Sequence, residues 1–219
     1  MGYIYKEWYE LISDFLSEID GMNIELGCGA SFIDQINKSI KKTDVFLNSN
    51  TDFKLNAMDI GDNFENQISN LILINVFHHI SDPELFLRSA EKSLLIGGRI
   101  IMIEPSNNYW SRLVYKLIGH EPFDTRQIEW KFESKDPLLD SNQALSWIIF
   151  ERDYEKFKNL FPMFALIQKR NIMPFSYLLS GGHSLNTRIG KLIKISRIFE
   201  KLFFDQHFGM FNLICLEKI

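Results

Sequence analysis

A short strand that runs straight into a glycine turn constrains this chain more than any other feature. Met22-Asn23-Ile24-Glu25-Leu26 is followed at once by Gly27-Cys28-Gly29-Ala30-Ser31, and Phe32, Ile33 and Ile36 then predict a helix. Glycines at such a turn let the backbone bend sharply and approach a ligand with no Cβ in the way. In a doubly wound sheet the turn opens onto the crevice where ligands bind. A dinucleotide fingerprint needs a third glycine where Phe32 stands, and a ring there conflicts with a pyrophosphate at the helix N-terminus. A P-loop fails because no G-K-[ST] follows. Glu25, two positions before the first glycine, suits a ligand with a cationic end better than a diphosphate.

The rest of the first half repeats a βα rhythm. A second strand ends near Thr43-Asp44 and a third lies near Lys54–Met58. Leu71-Ile72-Leu73-Ile74 is continuously apolar, as expected of a strand buried on both faces of a parallel sheet. Ser81 and Glu84 have capping-box spacing around Pro83, and the helix they open closes at Gly97-Gly98. Arg99–Ile103 is the fifth strand. This alternation predicts a parallel α/β sheet with helices on both faces.

Before it, Trp8, Leu11, Ile12, Phe15, Leu16 and Ile19 fall on one face of an amphipathic opening helix. After it, about residues 106–160 are aromatic and mostly helical in pattern, with Pro122 and Pro137 as breaks. They read as an insertion beside the sheet's C-terminal edge within a single domain, 1–219. Strand character resumes near 164–172. Ile189–Leu202 marks a late helix, and Phe211–Leu216 a final strand.

Composition narrows the function. The 219 residues are 46% hydrophobic and 24% charged, with a net charge of -4. That is an ordinary globular balance, with no global field to attract nucleic acid. Charges at Lys6, Glu7, Glu10, Asp14 and Glu18 break any signal-peptide core. No apolar run approaches the ~18 residues that span a bilayer. Two distant cysteines, Cys28 and Cys215, predict free thiols in a reducing, cytoplasmic setting.

The ordered set of Glu25, Gly27 and Gly29, then Asp44, then Ala57-Met58-Asp59-Ile60, then Asn75-Val76-Phe77-His78-His79, then Gly97-Gly98 resembles class I S-adenosylmethionine-dependent methyltransferases. Leu73–Ile80 is similar to the fourth-strand motif of their small-molecule "type 11" branch. Residues 22 to 105 carry the likeness, and the C-terminal half looks like an uncharacterised bacterial subgroup. Ser31 departs from the family's third glycine. The resemblance implies a Rossmann-like, seven-stranded, mostly parallel sheet with an antiparallel last strand and a helical insertion.

It also implies S-adenosyl-L-methionine as cofactor, leaving as S-adenosyl-L-homocysteine, and a small-molecule acceptor of the methyl group. Glu25, Gly27, Cys28 and Gly29 would form the cofactor turn, with Cys28 as a small filler. Asp44 would hold the ribose, with Asp52 as a rival. Asp59 and Ile60 would lie beside the adenine, and Asn75 would complete the site. His79 is the first candidate base, Glu104 the second and His120 the third, with His183 at the pocket rim. Tyr109, Trp110, Trp130 and Trp147 would cover the pocket. No metal is implied, since adjacent histidines cannot form the i, i+4 face of a helical metal site. A nucleic-acid methyltransferase is disfavoured because no [DNS]-P-P-[YFW] follows the fourth strand. The alternative is a catalytically silent cofactor-binding partner or scaffold protein.

Overall fold

The computed structural model describes residues 3–35, 37–118, 121–179, 190–203 and 205–219. Its strands are β1 (Met22–Leu26), β2 (Ile40–Asp44), β3 (Phe53–Lys54), β4 (Ile68–Ile74), β5 (Leu94–Pro105), β6 (Phe164–Ile172) and β7 (Phe211–Lys218). They form one seven-stranded sheet in the order β3-β2-β1-β4-β5-β7-β6. The first five run parallel, and β7 lies antiparallel between β5 and β6.

Strand alternation sends side chains to two separate cores. Leu71 and Leu73 of β4, Ile100 and Met102 of β5, and Ile214 and Leu216 of β7 face one layer. There they meet Phe86 and Leu87 of α3 (Pro83–Ser93) and Phe157 of α6 (Tyr154–Leu160). Ile72, Ile101, Ile103, Leu213 and Cys215 face the other layer, against Trp8 and Ile12 of α1 (Tyr3–Ser13) and Val114 of α4 (Tyr109–Ile118). This two-faced burial is why β4 reads as an unbroken apolar run.

The local structure departs from expectation in five places. The helix after the glycine turn is only one 3₁₀ turn, Ile33–Gln35. The opening helix α1 packs with Ile33 and Ile40 in the layer that this short crossover leaves uncovered, and it ends at Ser13 rather than continuing to Ile19. The third strand stops at Lys54, and Ala57–Asp59 is a 3₁₀ turn. The cap of α3 is Asp82, whose side chain accepts from the Leu85 amide, rather than Ser81. Helix α3 closes at Ser93, so Gly97-Gly98 falls inside β5, where Ile68 pairs Leu94 but Asn70 pairs Arg99. The intervening residues bulge out of the ladder, with Gly97 at φ +79°.

The insertion divides in two. Its second half, α5 (Leu145–Trp147), a π turn (Ile148–Arg152) and α6, is a core layer. Residues 121–144 are mostly irregular and lie over the end of β4, where the Asn142 amide donates to the His78 carbonyl (2.9 Å) and the Phe132 amide to the Ser81 carbonyl (2.9 Å). Beyond β6 come α7 (Ser176–Leu179), α8 (Gly190–Phe203) and α9 (Asp205–Phe208). Among the described residues, no helix is long and apolar enough to cross a membrane.

Candidate functional site

The glycine turn is held from three sides. Gly27 has φ +63°, and a Cβ there would meet Val76 Cγ2 at 2.7 Å. Gly29 has φ +50° and open space where a Cβ would stand. The Gly29 amide donates to Asp44 Oδ2 (3.0 Å), and the Phe46 amide to Asp44 Oδ1 (3.1 Å). The Cys28 amide donates to the Thr43 carbonyl (2.9 Å), which ties the turn to β2. Ser31 Oγ lies 2.9 Å from the Tyr9 hydroxyl and accepts from the Ile33 amide (3.2 Å). Ser31 therefore ties α1 to the turn and opens the 3₁₀ turn, as serine does at N-caps.

Glu25 is buried under this turn, and its Oε2 has no hydrogen-bond partner among the described residues. Burial pushes its carboxyl up to about 8, against the opposing Ser31 hydrogen bond and Lys42 charge. Cys28 is buried as well. Burial pushes its thiol up to about 12, so it fills the loop as an uncharged group.

A cavity of about 260 Å³ opens beside the turn. That is near the small end of ligand pockets, roughly 300–1,000 Å³. Gly27, Gly29, Asp44, Asn56, Asn75 and His79 line it, with Leu55, Ala57, Met58 and Ile80 as apolar walls. Glu25 and Cys28 lie behind the lining rather than in it. Asp52 is exposed and accepts from the Lys42 amide (2.7 Å), so Asp44 alone of the two reaches the cavity.

Three groups of expected residues lie outside the lining of this cavity. Asp59 is exposed and Ile60 is wholly buried in the core, and neither lines the cavity. Because the chain turns at 57–59, Asn56 takes that place, with its side-chain oxygen accepting from the Met58 amide (3.1 Å). The four aromatics expected as a cover do not reach the cavity. Tyr109 is exposed, Trp110 donates to the Pro174 carbonyl, Trp130 is buried and donates to Asp153, and Trp147 packs on the core. Ser134, Pro137 and Leu138 close that side instead. Glu104, expected as a base, is fully buried and outside the lining.

The chain leaves β4 through Asn75, at φ +54°, a conformation asparagine tolerates better than most residues. One 3₁₀ turn, Phe77–His79, follows. Glu104, at the end of β5, gathers this turn. Its Oε1 accepts from the Val76 and Phe77 amides (2.8 Å each), while Oε2 lies 3.4 Å from the His78 amide and 2.5 Å from His78 Nδ1. Three amides donate to this carboxylate, which favours its acceptor-only form and leaves a lone pair for the ring, so the ring nitrogen is the donor in that short contact.

His78 Nε2 lies 3.1 Å from Glu121 Oε2, which also accepts from Gln143 (3.2 Å) and Ser141 (3.4 Å). His79 Nε2 lies 3.9 Å from the same oxygen, and its Nδ1 lies 3.3 Å from the Asp140 carbonyl. Burial alone would lower His78, but the charge and hydrogen bond of Glu104, then Glu121, push it up to about 9. The His78 hydrogen bond holds Glu121 down at about 2. Burial, then the charge of His78, lower His79. His120 and His183 lie outside the described residues.

No family profile matches the sequence, and no curated protein matches it. Solved structures do. A SAM-dependent methyltransferase from Archaeoglobus fulgidus superposes with a TM-score of 0.57 at 12% identity, covering 98% of this chain and 94% of that one. Geranyl diphosphate C-methyltransferase from Streptomyces coelicolor, solved with Mg2+, geranyl diphosphate and S-adenosyl-L-homocysteine, gives 0.53 at 13% identity, covering 98% and 78%. The architecture is the class I S-adenosylmethionine-dependent methyltransferase fold. The [4+2]-cyclase SpnF also shares it, with a TM-score of 0.53 at 12% identity over 97% of this chain and 80% of that one. The fold thus carries more than one chemistry.

The structure brings the glycine turn, Asp44, Asn75 and His79 of the sequence pattern to one cavity, and adds Asn56 to its lining, the tie of Ser31 to Tyr9 and the contact of Glu121 with His78. Asn56 carried a signal, as an asparagine two residues before a turn amide. Ser31 carried a capping signal that its place in a glycine motif concealed. Glu121 carried none, since its partners are 20 or more residues away.

Proposed function

We propose that this chain is an S-adenosylmethionine-dependent methyltransferase acting on a small-molecule acceptor. The observation that carries this reading is the cavity at the β1 turn, with Gly29 open to it, Asp44 in its wall and an unpartnered Glu25 oxygen behind it. These residues fit the cofactor. Gly27 and Gly29 let the main chain approach it, and Asp44 offers carboxylate oxygens to a ribose diol. Asn56 presents its amide beside the apolar slot of Leu55, Ala57 and Met58, which suits a flat base. Glu25, its carboxyl held up at about 8 by burial, would be drawn to its charged form by the cationic end.

The bound cofactor supplies an activated methyl group, and the protein supplies position and electrostatics. Orientation of well-aligned reactants accounts for about 7–11 kcal/mol of a barrier. His79 stands where the cavity wall meets the insertion, and it is the side chain placed against the acceptor. Ser134, Pro137 and Leu138 close one side of the pocket. The Streptomyces neighbour was solved with geranyl diphosphate bound, and a small molecule is the acceptor class proposed here as well. The two buried free thiols suit a reducing, cytoplasmic setting.

Calorimetry with S-adenosylmethionine and S-adenosylhomocysteine tests the reading. Both bind, and Asp44→Ala weakens both by about tenfold or more, the scale of hydrogen bonds to a charged group. An acceptor panel read by S-adenosylhomocysteine release then separates an enzyme from a silent binder. His79→Ala lowers turnover by about 10²–10⁴-fold and leaves cofactor affinity nearly unchanged. Absence of binding by either compound overturns the proposal.

A further inference from the structure

We propose that His78, His79 and Glu121 form a site for one divalent transition-metal ion of the zinc class, with an open coordination position facing the cavity. One ligand atom from each residue lies within 4.8 Å of the others. His78 Nε2 is 3.1 Å, and His79 Nε2 3.9 Å, from Glu121 Oε2. Zinc–ligand bonds of about 2.0–2.2 Å in a tetrahedron place neighbouring ligand atoms roughly 3.3 Å apart. The two spacings to Glu121 bracket that value and the third is within 4.8 Å, so the side chains draw together by up to about 1.5 Å when an ion binds.

Orientation is the second argument. Glu104 takes Nδ1 of His78 while held by backbone amides, so Nε2 is the ring atom turned toward Glu121, and an ion binding there displaces to solvent the proton that Nε2 shares with Glu121. A carboxylate behind a histidine, fixing its tautomer and aim, is the usual outer shell of a metal ligand. Glu121 is itself steadied by Gln143 and Ser141. The objection that adjacent histidines cannot share an ion applies to a regular helix. Here both sit on a single 3₁₀ turn, with ring centroids 4.4 Å apart.

The donor set names the ion class. Two imidazoles and one carboxylate suit zinc, cobalt or nickel, whereas magnesium and calcium take oxygen ligands. Glu121 is partly exposed, which gives an ion a way in, and His79 lines the cavity. Three protein ligands leave a fourth position for an oxygen or sulfur atom of the acceptor, and with zinc bound His79 acts as a ligand rather than as a base. Only that use rests on the methyl-transfer reading, and ion binding stands apart from it.

The test uses the full chain, stripped with a chelator and reloaded separately with Zn2+, Co2+ and Mg2+. The expected result is one zinc retained per chain through gel filtration and a cobalt form with the intense visible bands of four-coordination. Magnesium is not retained. Glu121→Gln and His79→Gln each weaken zinc binding by at least about 10–100-fold, the range for outer-shell loss alone. Two different side chains are probed so that a folding defect in one does not decide the matter. Failure to retain zinc, magnesium bound as well as zinc, or undiminished binding in both variants overturns the proposal. Cofactor calorimetry on the same samples keeps the two readings apart. Cofactor binding without zinc sinks the metal site alone, and zinc without cofactor binding sinks the methyltransferase reading alone.

Discussion

The two sides of the sheet's C-terminal rim are built by different means. On the β1–β2 side, the main chain makes the site: two left-handed glycines, an amide on Asp44, and a serine that opens a turn. On the β4–β5 side, side chains from distant positions make it, with Glu104 and Glu121 lying 26 and 43 residues from His78. A backbone device must be written as adjacent residues, because a turn is local. A buried polar network needs only that folding bring its members together. The same rim is therefore half motif and half assembly.

The largest expected effect sharpens that contrast on the assembled side. Glu104→Gln turns an amide NH2 toward the donors that the carboxylate now satisfies. Removing one partner of a buried ion pair costs about 3–5 kcal/mol. Denaturant unfolding should show that loss, and a variant as stable as the parent would mean that Glu104 does not organise the turn after β4. On the local side, Gly27→Val loads a left-handed backbone, at about 1–2 kcal/mol, and drives a side chain into Val76. Its cofactor affinity should fall about 100-fold, a further 2.7 kcal/mol or so at about 1.36 kcal/mol per decade. Unchanged affinity would detach the glycine turn from the cofactor.

A smaller effect separates two neighbours on the local side. Asn56→Ala should weaken cofactor binding by up to about tenfold, the worth of one neutral hydrogen bond. Asp59→Ala should change it little, because Asp59 is exposed and outside the cavity. Equal losses would mean that the 57–59 turn sits differently around the bound base.

The sheet was legible because each of its signals is local or periodic: the apolar run of β4, the glycine turn, and the alternation of strand and helix. What the sequence misplaced turns on tertiary choice. Asp59 and Asn56 differ by three positions, and only the stop of β3 at Lys54 decides which of them enters the cavity. The four aromatics of 109–147 satisfy burial in the core as well as they would in a cover, and burial prevailed for Trp130 and Trp147. Glu104 was legible as a strand-end acid, but three amides and one ring turn it inward.

The pH-dependent effect belongs to Glu25, where the local side carries a charge of its own. Its carboxyl is pushed by burial from an ordinary 4.5 up to about 8. Between those values the folded protein holds a proton that the unfolded chain has released. The stabilisation is thus fully present below about pH 4.5 and is lost as pH rises through about 8. Glu25→Gln carries no such proton, so its melting temperature should be flatter than the parent's across that window. A cationic cofactor opposes the burial term by favouring the carboxylate. Binding near pH 7 should therefore expel up to about one proton, and affinity should rise no more than about tenfold per pH unit up to pH 8. Calorimetry in buffers of different ionisation heat counts that proton. Equal apparent enthalpies in all of them would show that Glu25 does not sense the cofactor's charge, leaving the main chain as the local side's only instrument.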